Sequence, residues 1–227
     1  WGFRVRLMGC VGRDWFGDFA LRRLANNGVD VSGVARVAQP TGLICIPVNP
    51  DGQRTIIGSR GANACAPAGR LLSRGPRGVR WLHLVGYSLL SAETARCVRA
   101  LLRQARRRGI GVSLDAGLAP SREARRQILA LAPKLDVLFV SLEEAEALSG
   151  RRGPAALESV ARCGARAVIL KRGANGCRFL HNGRWHTAAP FKVATVDTTG
   201  AGDGFAAGFL YAQLRGWAMA DGAALAN

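Results

Sequence analysis

The strongest constraint on this chain is a rhythm through its middle, where short apolar runs alternate with runs that repeat an apolar residue every three or four positions. Trp81 to Val85 is followed by Ala92 to Ala105, whose Ala95, Val98, Leu102 and Ala105 fall on one helical stripe, and then by Ile110 to Leu114. A helical stretch from Ser121 to Ala132 leads into Val137 to Val140, and two more precede Ala167 to Leu170. A strand that is apolar throughout must be covered on both faces, and a helix between successive strands is what parallel pairing requires. The rhythm predicts an α/β fold built on a mostly parallel sheet.

Ahead of that core the pattern changes. Val34 to Val37, Leu43 to Val48 and Arg54 to Ile57 read as short strands with no helix between them, the last two joined by the turn-forming Asn49-Pro50-Asp51-Gly52. They predict a small sheet projecting from the main one. His181-Asn182-Gly183-Arg184 signals a second hairpin. With no internal repeat and no low-complexity linker, residues 1–227 read as one domain carrying an appended sheet at about 34–62.

A length of 227 residues, 48% of them hydrophobic, suffices for one sizeable core. No apolar run approaches the length of a membrane span, and Trp1-Gly2-Phe3-Arg4 lacks a signal-peptide layout. A cytoplasmic protein with no membrane partner is expected. The six cysteines stand far apart, with no C-x-x-C pair, so buried free thiols are expected rather than bridges or metal ligands. Three histidines argue against a histidine-based metal site or triad. The net charge of +17 raises nucleic acid as a partner, but its arginines are spread along the whole chain and the lysines are only Lys134, Lys171 and Lys192. The densest run, Arg106 to Arg108, ends a helical pattern and reads as a solvated last turn complementing the helix dipole. No nucleic-acid partner is expected.

Chemistry concentrates in VDTTGAGDGF, residues 196 to 205. The strand-like pattern stops at Val196, and from Asp203 a helical stripe begins with Phe205, Phe209, Leu210 and Leu214. Gly200-Ala201-Gly202 then sits at a helix amino terminus, where orphan N–H groups and the positive end of the macrodipole favour an anion. An aspartate at the rim of such a hole repels phosphate but suits a base, so Asp203 facing an acceptor hydroxyl would unite both halves of a kinase reaction at one turn. The competing reading makes Asp197 and Asp203 helix caps and the glycines a tight turn. Neither the dinucleotide fingerprint nor the Walker loop fits these residues.

The stretch VDTTGAGDGFAAGF closely resembles the second signature of the ribokinase family, the PfkB-type carbohydrate kinases, written Asp-Thr-x-Gly-Ala-Gly-Asp. The likeness extends along the chain in family order through GCVGRDWFGDFALRRLANNGVDVSGV, TGLICIPVNPDGQRTIIGSRGANA, WLHLVGYSLL, SLDAGLAP, LFVSLEEAEALSG and LKRGANGC. It implies a ribokinase-like three-layer α/β sandwich with a small β lid, and ATP-dependent transfer to a hydroxyl of a small sugar or sugar acid.

The resemblance also implies roles by position. Asp203 is the catalytic base, with Gly200, Ala201 and Gly202 as the anion hole. Glu144 matches the glutamate of the Asn-x-x-Glu element that organises Mg2+ largely through water. Lys171, Arg172, Gly173 and Gly176 line the nucleotide side, and Asn227 lies where a helix closes on the adenine. Asn63 and Asp115 fall on the sugar side. ATP and Mg2+ are the implied cofactors, with a monovalent cation such as K+ as a further one, and pairing through the lid is the implied route to a homodimer.

The chain departs from the family pattern in three places. Ser141 stands where the family has the asparagine of Asn-x-x-Glu, and Asp115-Ala116-Gly117-Leu118-Ala119-Pro120 lacks the asparagine and arginine of Asp-x-Asn-x-Arg-Pro. The family's first signature, Gly-Gly-x-x-x-Asn, would finish about where Trp1 begins, and the chain stops at ALAN before the expected last strand and helix. An incomplete chain is the resulting expectation. Two alternatives remain open at this point: a nucleoside kinase of the adenosine type, which shares the turn, and a non-catalytic relative that binds nucleotide or sugar.

Overall fold

The computed structural model describes residues 2–47, 55, 57–117, 122–194 and 197–227. The expected turn from Asn49 to Gly52 lies outside them. The chain divides into two compact units, Gly2–Arg77 with Ser91–Leu101, and Gly78–Leu90 with Leu102–Asn227.

In the first unit, strand β1 (Val5–Gly12) and helix α1 (Trp15–Asn26) lead to β2 (Val29–Val37), which pairs with β1 in parallel. The helix starts where it does because Asp14 caps it, accepting the Gly17 N–H at 2.8 Å. The same carboxylate accepts the Thr41 N–H at 2.7 Å and its hydroxyl at 2.6 Å. Gly12 and Gly17 are required there, since a Cβ on either would collide with the backbone or with Thr41. The parallel pairing corrects the sequence reading, which placed only a short strand at Val34–Val37. The strand is nine residues long and belongs with β1.

Strands β3 (Leu43–Cys45) and β4 (Ile57–Ser59) form a separate antiparallel pair, as expected of the small sheet. Both are exposed along their length, so Cys45 is exposed rather than a buried thiol. All six cysteines are free, with Cys10, Cys97 and Cys177 buried and Cys65 and Cys163 partly so. A short 3-10 turn, Gly61–Ala64, and helix α2 (Ala68–Arg74) complete this segment.

The second unit holds a six-stranded sheet. In chain order it contains β5 (Trp81–Val85), β6 (Gly111–Asp115), β7 (Val137–Ser141), β8 (Ala167–Lys171), β9 (Cys177–His181) and β10 (Arg184–Ala188). Neighbours follow that order, β5 to β8 in parallel and β9 and β10 antiparallel. The connections are α3 (Ala92–Arg107), α4 (Arg122–Leu131), and the pair α5 (Leu142–Ser149) and α6 (Gly153–Ala161). Helix α3 gives its residues up to Leu101 to the first unit. Arg106 and Arg107 occupy its last turn, as expected, and Arg106 reaches Asp136 at 2.7 Å.

Strands that advance across a sheet in one direction through right-handed crossovers send their connecting helices to one face. The other face needs a separate cover, supplied by α7 (Ala201–Leu214) and α8 (Met219–Ala226). Phe139, Ile169 and Phe179 pack there with Phe205, Phe209 and Leu210. Leu138, Val140 and Val168 alternate to the opposite face and are equally buried, so the parallel strands are covered twice. The β9–β10 hairpin turns on Asn182 (φ 50°) and Gly183 (φ 74°), both left-handed, as the Asn-Gly pair predicts.

Candidate active site

Three parallel neighbours end side by side at the carboxyl edge of the sheet: β6 at Asp115, β7 at Ser141 and β8 at Lys171, with Ser141 opposite Lys171 in register. Open α/β sheets bind ligands just beyond such ends. Helix α7 begins at the same edge, because a Cβ built on Gly202 would lie 3.3 Å from Lys171 Nζ.

The turn into α7 is made by Asp197 and Gly200. Asp197 Oδ1 accepts the Thr199 N–H and the Thr199 hydroxyl, both at 2.8 Å, which folds the chain back before the helix. Gly200 then takes φ 76°, a left-handed conformation that glycine adopts without strain. It is the N-cap and has no side chain, so no side-chain cap spends the helix's orphan donors. The Ala201 N–H goes to the Thr198 carbonyl at 3.1 Å, whereas those of Gly202 and Asp203 have no acceptor among the described residues. The competing reading of two helix caps therefore does not hold: Asp197 shapes the turn without capping α7, and Asp203 projects from the first helical turn, exposed.

Beside this terminus lies an ion pair. Lys171 Nζ donates to Asp115 Oδ2 at 2.6 Å, with side-chain exposures of 16% and 12%, so both charges are largely withdrawn from water. Asp115 Oδ1 accepts the Gly117 N–H at 3.1 Å. Nothing in the sequence links these two residues, which meet because β6 and β8 flank β7.

Glu144 stands at the start of α5. Ser141 is the N-cap: its hydroxyl accepts the Glu144 N–H at 3.2 Å, while Glu144 Oε2 accepts the Ser141 N–H at 2.7 Å, a closed capping box. The Ser141 hydroxyl donates to Glu143 Oε2 at 2.7 Å. Burial pushes the Glu144 carboxyl above the ordinary carboxylate range, against the pull of Lys171. Among the described residues no group of three or more His, Cys, Asp or Glu converges as a metal cage. Glu144 Oε1 has no hydrogen-bond partner among the described residues, which fits a magnesium ion held chiefly by phosphate oxygens and water.

Behind the edge sits His83, which the sequence reading passed over. Its Nδ1 is 2.8 Å from Ser113 Oγ, which also accepts the Trp81 indole N–H at 2.9 Å, and its ring meets Phe139 edge-on. Burial holds its imidazole below the ordinary value, while Asp115 and Asp203 act in the other direction. A neutral histidine thus backs the acidic groups without adding charge. No spacing rule marks such a residue; only pairing of β5 with β6 brings it there.

The remaining positions divide as follows. Arg172, Gly173 and Gly176 lie in the turn after β8, where Gly176 (φ 72°) passes so close to the Ala188 carbonyl and Pro190 that no side chain fits. Asn227 donates from Nδ2 to the carbonyls of Ala188 and Ala189 at 3.3 and 3.1 Å, pinning the end of α8 to the end of β10. Asn63 belongs to the first unit, in the 3-10 turn Gly61–Ala64, where its carbonyl accepts from Arg60 at 3.2 Å.

With this geometry in place, comparison with known proteins is decisive: the profile of the pfkB family carbohydrate kinases matches residues 1–227. The chain belongs to that family. The kinase is 30% identical to a 2-dehydro-3-deoxygluconokinase of Bacillus subtilis over 97% of its own length and 72% of the relative's. It is 32% identical to an ATP-dependent ribose-1-phosphate kinase of Halopiger xanaduensis, over 90% of the kinase and 65% of that protein. A putative ribokinase II of E. coli in complex with ATP and Mg2+ superposes on the whole kinase and on 75% of that chain, with a TM-score of 0.89 and 25% identity. The kinase has the ribokinase fold, and as a carbohydrate kinase it is a phosphotransferase acting on an alcohol group. No helix is long and apolar enough to cross a membrane among the described residues.

Proposed function

We propose that this kinase transfers the γ-phosphate of ATP to a hydroxyl of a small sugar or sugar acid, with Asp203 as base and the Gly200–Asp203 backbone as anion hole. The observation that carries this reading is the open amino terminus of α7, where the N–H groups of Gly202 and Asp203, without an acceptor among the described residues, share one helical turn with the exposed Asp203 carboxylate. Such a turn can hold the phosphoryl group on its amides while its carboxylate takes the proton of the attacking hydroxyl. In a loose transition state the proton leaves late, so the position of the aspartate matters most.

In this reading Lys171, Arg172, Gly173, Gly176 and Asn227 line the nucleotide, and Glu144 would organise Mg2+ through its open oxygen. When bound, that ion would neutralise phosphate charge. Asn63 and Asp115 face the sugar, and since each Asp115 oxygen already accepts one hydrogen bond, a sugar hydroxyl would share the lone pairs left over. We read residues 1–227 as one kinase domain, with residues about 34–62 as its lid, a K+ site and lid-mediated dimers as further expectations, and the cytoplasm as its compartment. The named relatives make 2-dehydro-3-deoxygluconate, fructose and ribose 1-phosphate the first acceptors to try.

The test is an ATP-consumption screen with those compounds, ribose and adenosine, followed by Asp203→Asn with the best acceptor. Transfer to a sugar or sugar acid, lowered by about 100-fold or more in the variant with ADP still bound, is the expected result. Consumption with adenosine alone would favour a nucleoside kinase. Binding without consumption would favour a non-catalytic relative, and undiminished turnover of the variant would remove Asp203 from its role.

A further inference from the structure

We propose that Lys171 is a catalytic cation of this kinase: held by Asp115 in the free site, its ammonium donates to the phosphoryl group in transfer at the amino terminus of α7. This rests on the reading of that terminus as the phosphoryl site. The first observation is one of reach. Lys171 Nζ lies so close to Gly202 that a single added carbon would sit 3.3 Å from it, and the N–H of Gly202 has no acceptor among the described residues. An anion seated on the free amides of α7 is therefore within one hydrogen-bond length or so of this ammonium.

The second observation is one of valence. A lysine ammonium carries three hydrogens. Asp115 Oδ2 takes one at 2.6 Å, and no other acceptor among the described residues takes the remaining two. A largely buried ammonium with two unspent donors is costly unless a ligand completes it.

The third observation concerns charge. Asp115 pairs with Lys171, Glu144 belongs to the first turn of the helix capped by Ser141, which is opposite Lys171 in register, and Asp203 follows Gly202 on α7. Each of these carboxylates repels an approaching triphosphate, and a cation beside the amides counters that repulsion. Lysine suits the task as a compact charge on a flexible stem, able to leave one oxygen for another without moving its backbone. Gly202 gains a second reason to be glycine, since any side chain there would come between the ammonium and the amides.

In the transfer step the bond from the γ-phosphorus to the β–γ bridging oxygen breaks and one to the acceptor oxygen forms. ADP leaves with the bridging oxygen, and the acceptor's proton goes to Asp203. Lys171 stays protonated throughout and contributes hydrogen bonds that strengthen as charge gathers on the phosphoryl oxygens.

The rival explanation is an ion pair that merely ties β6 to β8. Lys171→Met keeps the stem and removes the charge, and three measurements on the purified protein separate the two. They are steady-state turnover with the acceptor found above, calorimetric binding of ADP with and without aluminium fluoride in the presence of Mg2+ and acceptor, and thermal unfolding. The expected result is a kcat lower by about 100-fold or more, KM for the acceptor changed by less than about threefold, and loss of most of the tightening that aluminium fluoride confers on ADP. Lys171→Arg should recover part of kcat. A Lys171→Met protein with kcat within about threefold of wild type, or one that loses ADP binding and its aluminium-fluoride complex equally, overturns the proposal. If the single variant does not fold, Asp115→Asn combined with Lys171→Met leaves no lone buried charge, and the two binding measurements decide in the same way. Full activity of Asp203→Asn would sink the phosphoryl-site reading itself, whereas an inactive Asp203→Asn beside an active Lys171→Met sinks the lysine's role alone.

Discussion

Ser141 and Glu144 hold each other at the mouth of the site: the serine hydroxyl accepts the glutamate N–H at 3.2 Å, and the glutamate Oε2 accepts the serine N–H at 2.7 Å. The family's asparagine position thus becomes a helix cap in this chain, and Glu144 is at once a cap partner and the candidate organiser of Mg2+. Stability and activity draw on different properties of Glu144. Its carbonyl-like oxygen closes the cap, while its charge would serve the metal.

Glu144→Gln separates them. A glutamine oxygen can still accept the Ser141 N–H, so the cap survives, and the burden of a buried charge is gone. Burial raises the folded-state pKa of Glu144 above its unfolded value, so the folded protein holds the extra proton in the interval between the two, and stability falls as pH rises through that interval. The variant should therefore unfold at an equal or higher temperature than wild type near neutral pH and lack the loss of stability that Glu144 contributes as pH rises through that interval. Its kinase activity should drop by about 10–100-fold, as for other outer-shell metal partners.

Gly202→Ala should cost activity without costing stability. The added methyl stands 3.3 Å from Lys171 Nζ, beside the free amides of α7. Alanine is the better helix former by up to about 1 kcal/mol, so urea unfolding should report unchanged or slightly increased stability. Displacing a phosphoryl group by even about 1 Å can lower kcat by about 100-fold, which steady-state assays would register.

Phe139 is the structural counterweight to that surface. It is fully buried on β7, with Phe205, Phe209 and His83 each presenting a ring to it at centroid distances of 6.3, 5.6 and 6.0 Å. Phe139→Ala should destabilise by about 3–5 kcal/mol, measured by urea unfolding, because the surrounding rings close only partly over the cavity. Phe139→Leu should cost less while keeping the ADP affinity.

Asp14→Ala tests the first unit. The Asp14 carboxylate accepts from Thr41 twice and from Gly17 once, and these bonds, the Thr41 hydroxyl first, hold its pKa below the ordinary value. A depressed folded-state pKa means that its stabilisation is present above pH 3.8 and is lost as pH falls toward the folded-state value. The variant should melt earlier at neutral pH, and the difference from wild type should vanish in acid. Limited proteolysis should find its first new cuts near Thr41.

Much of this architecture was legible without coordinates because its causes are local. The apolar run at Val137 to Val140 needs cover on both sides whatever its neighbours are, and β7 lies there. Asn182-Gly183 can supply two left-handed residues in succession, and β9 turns into β10 at that point. VDTTGAGDGF announced a helix terminus with backbone exposed to an anion, and α7 opens at Ala201 with Gly200 as a bare cap. Other features were not legible, because they depend on which strands become neighbours. β2 reads as a short strand at Val34 to Val37 until it pairs in parallel with β1, and His83 is an ordinary strand residue until β6 brings Ser113 against it.

The amino-acid sequence by itself determined the layered α/β class, the kinase family and the glycine turn that opens α7, since periodicity, glycine freedom and helix-end chemistry act over a few residues at a time. Only the tertiary structure decided that Lys171 donates to Asp115, 56 positions away, at 2.6 Å beside Gly202. Charges meet across a sheet according to strand order, and strand order is the outcome of burying every apolar face at once.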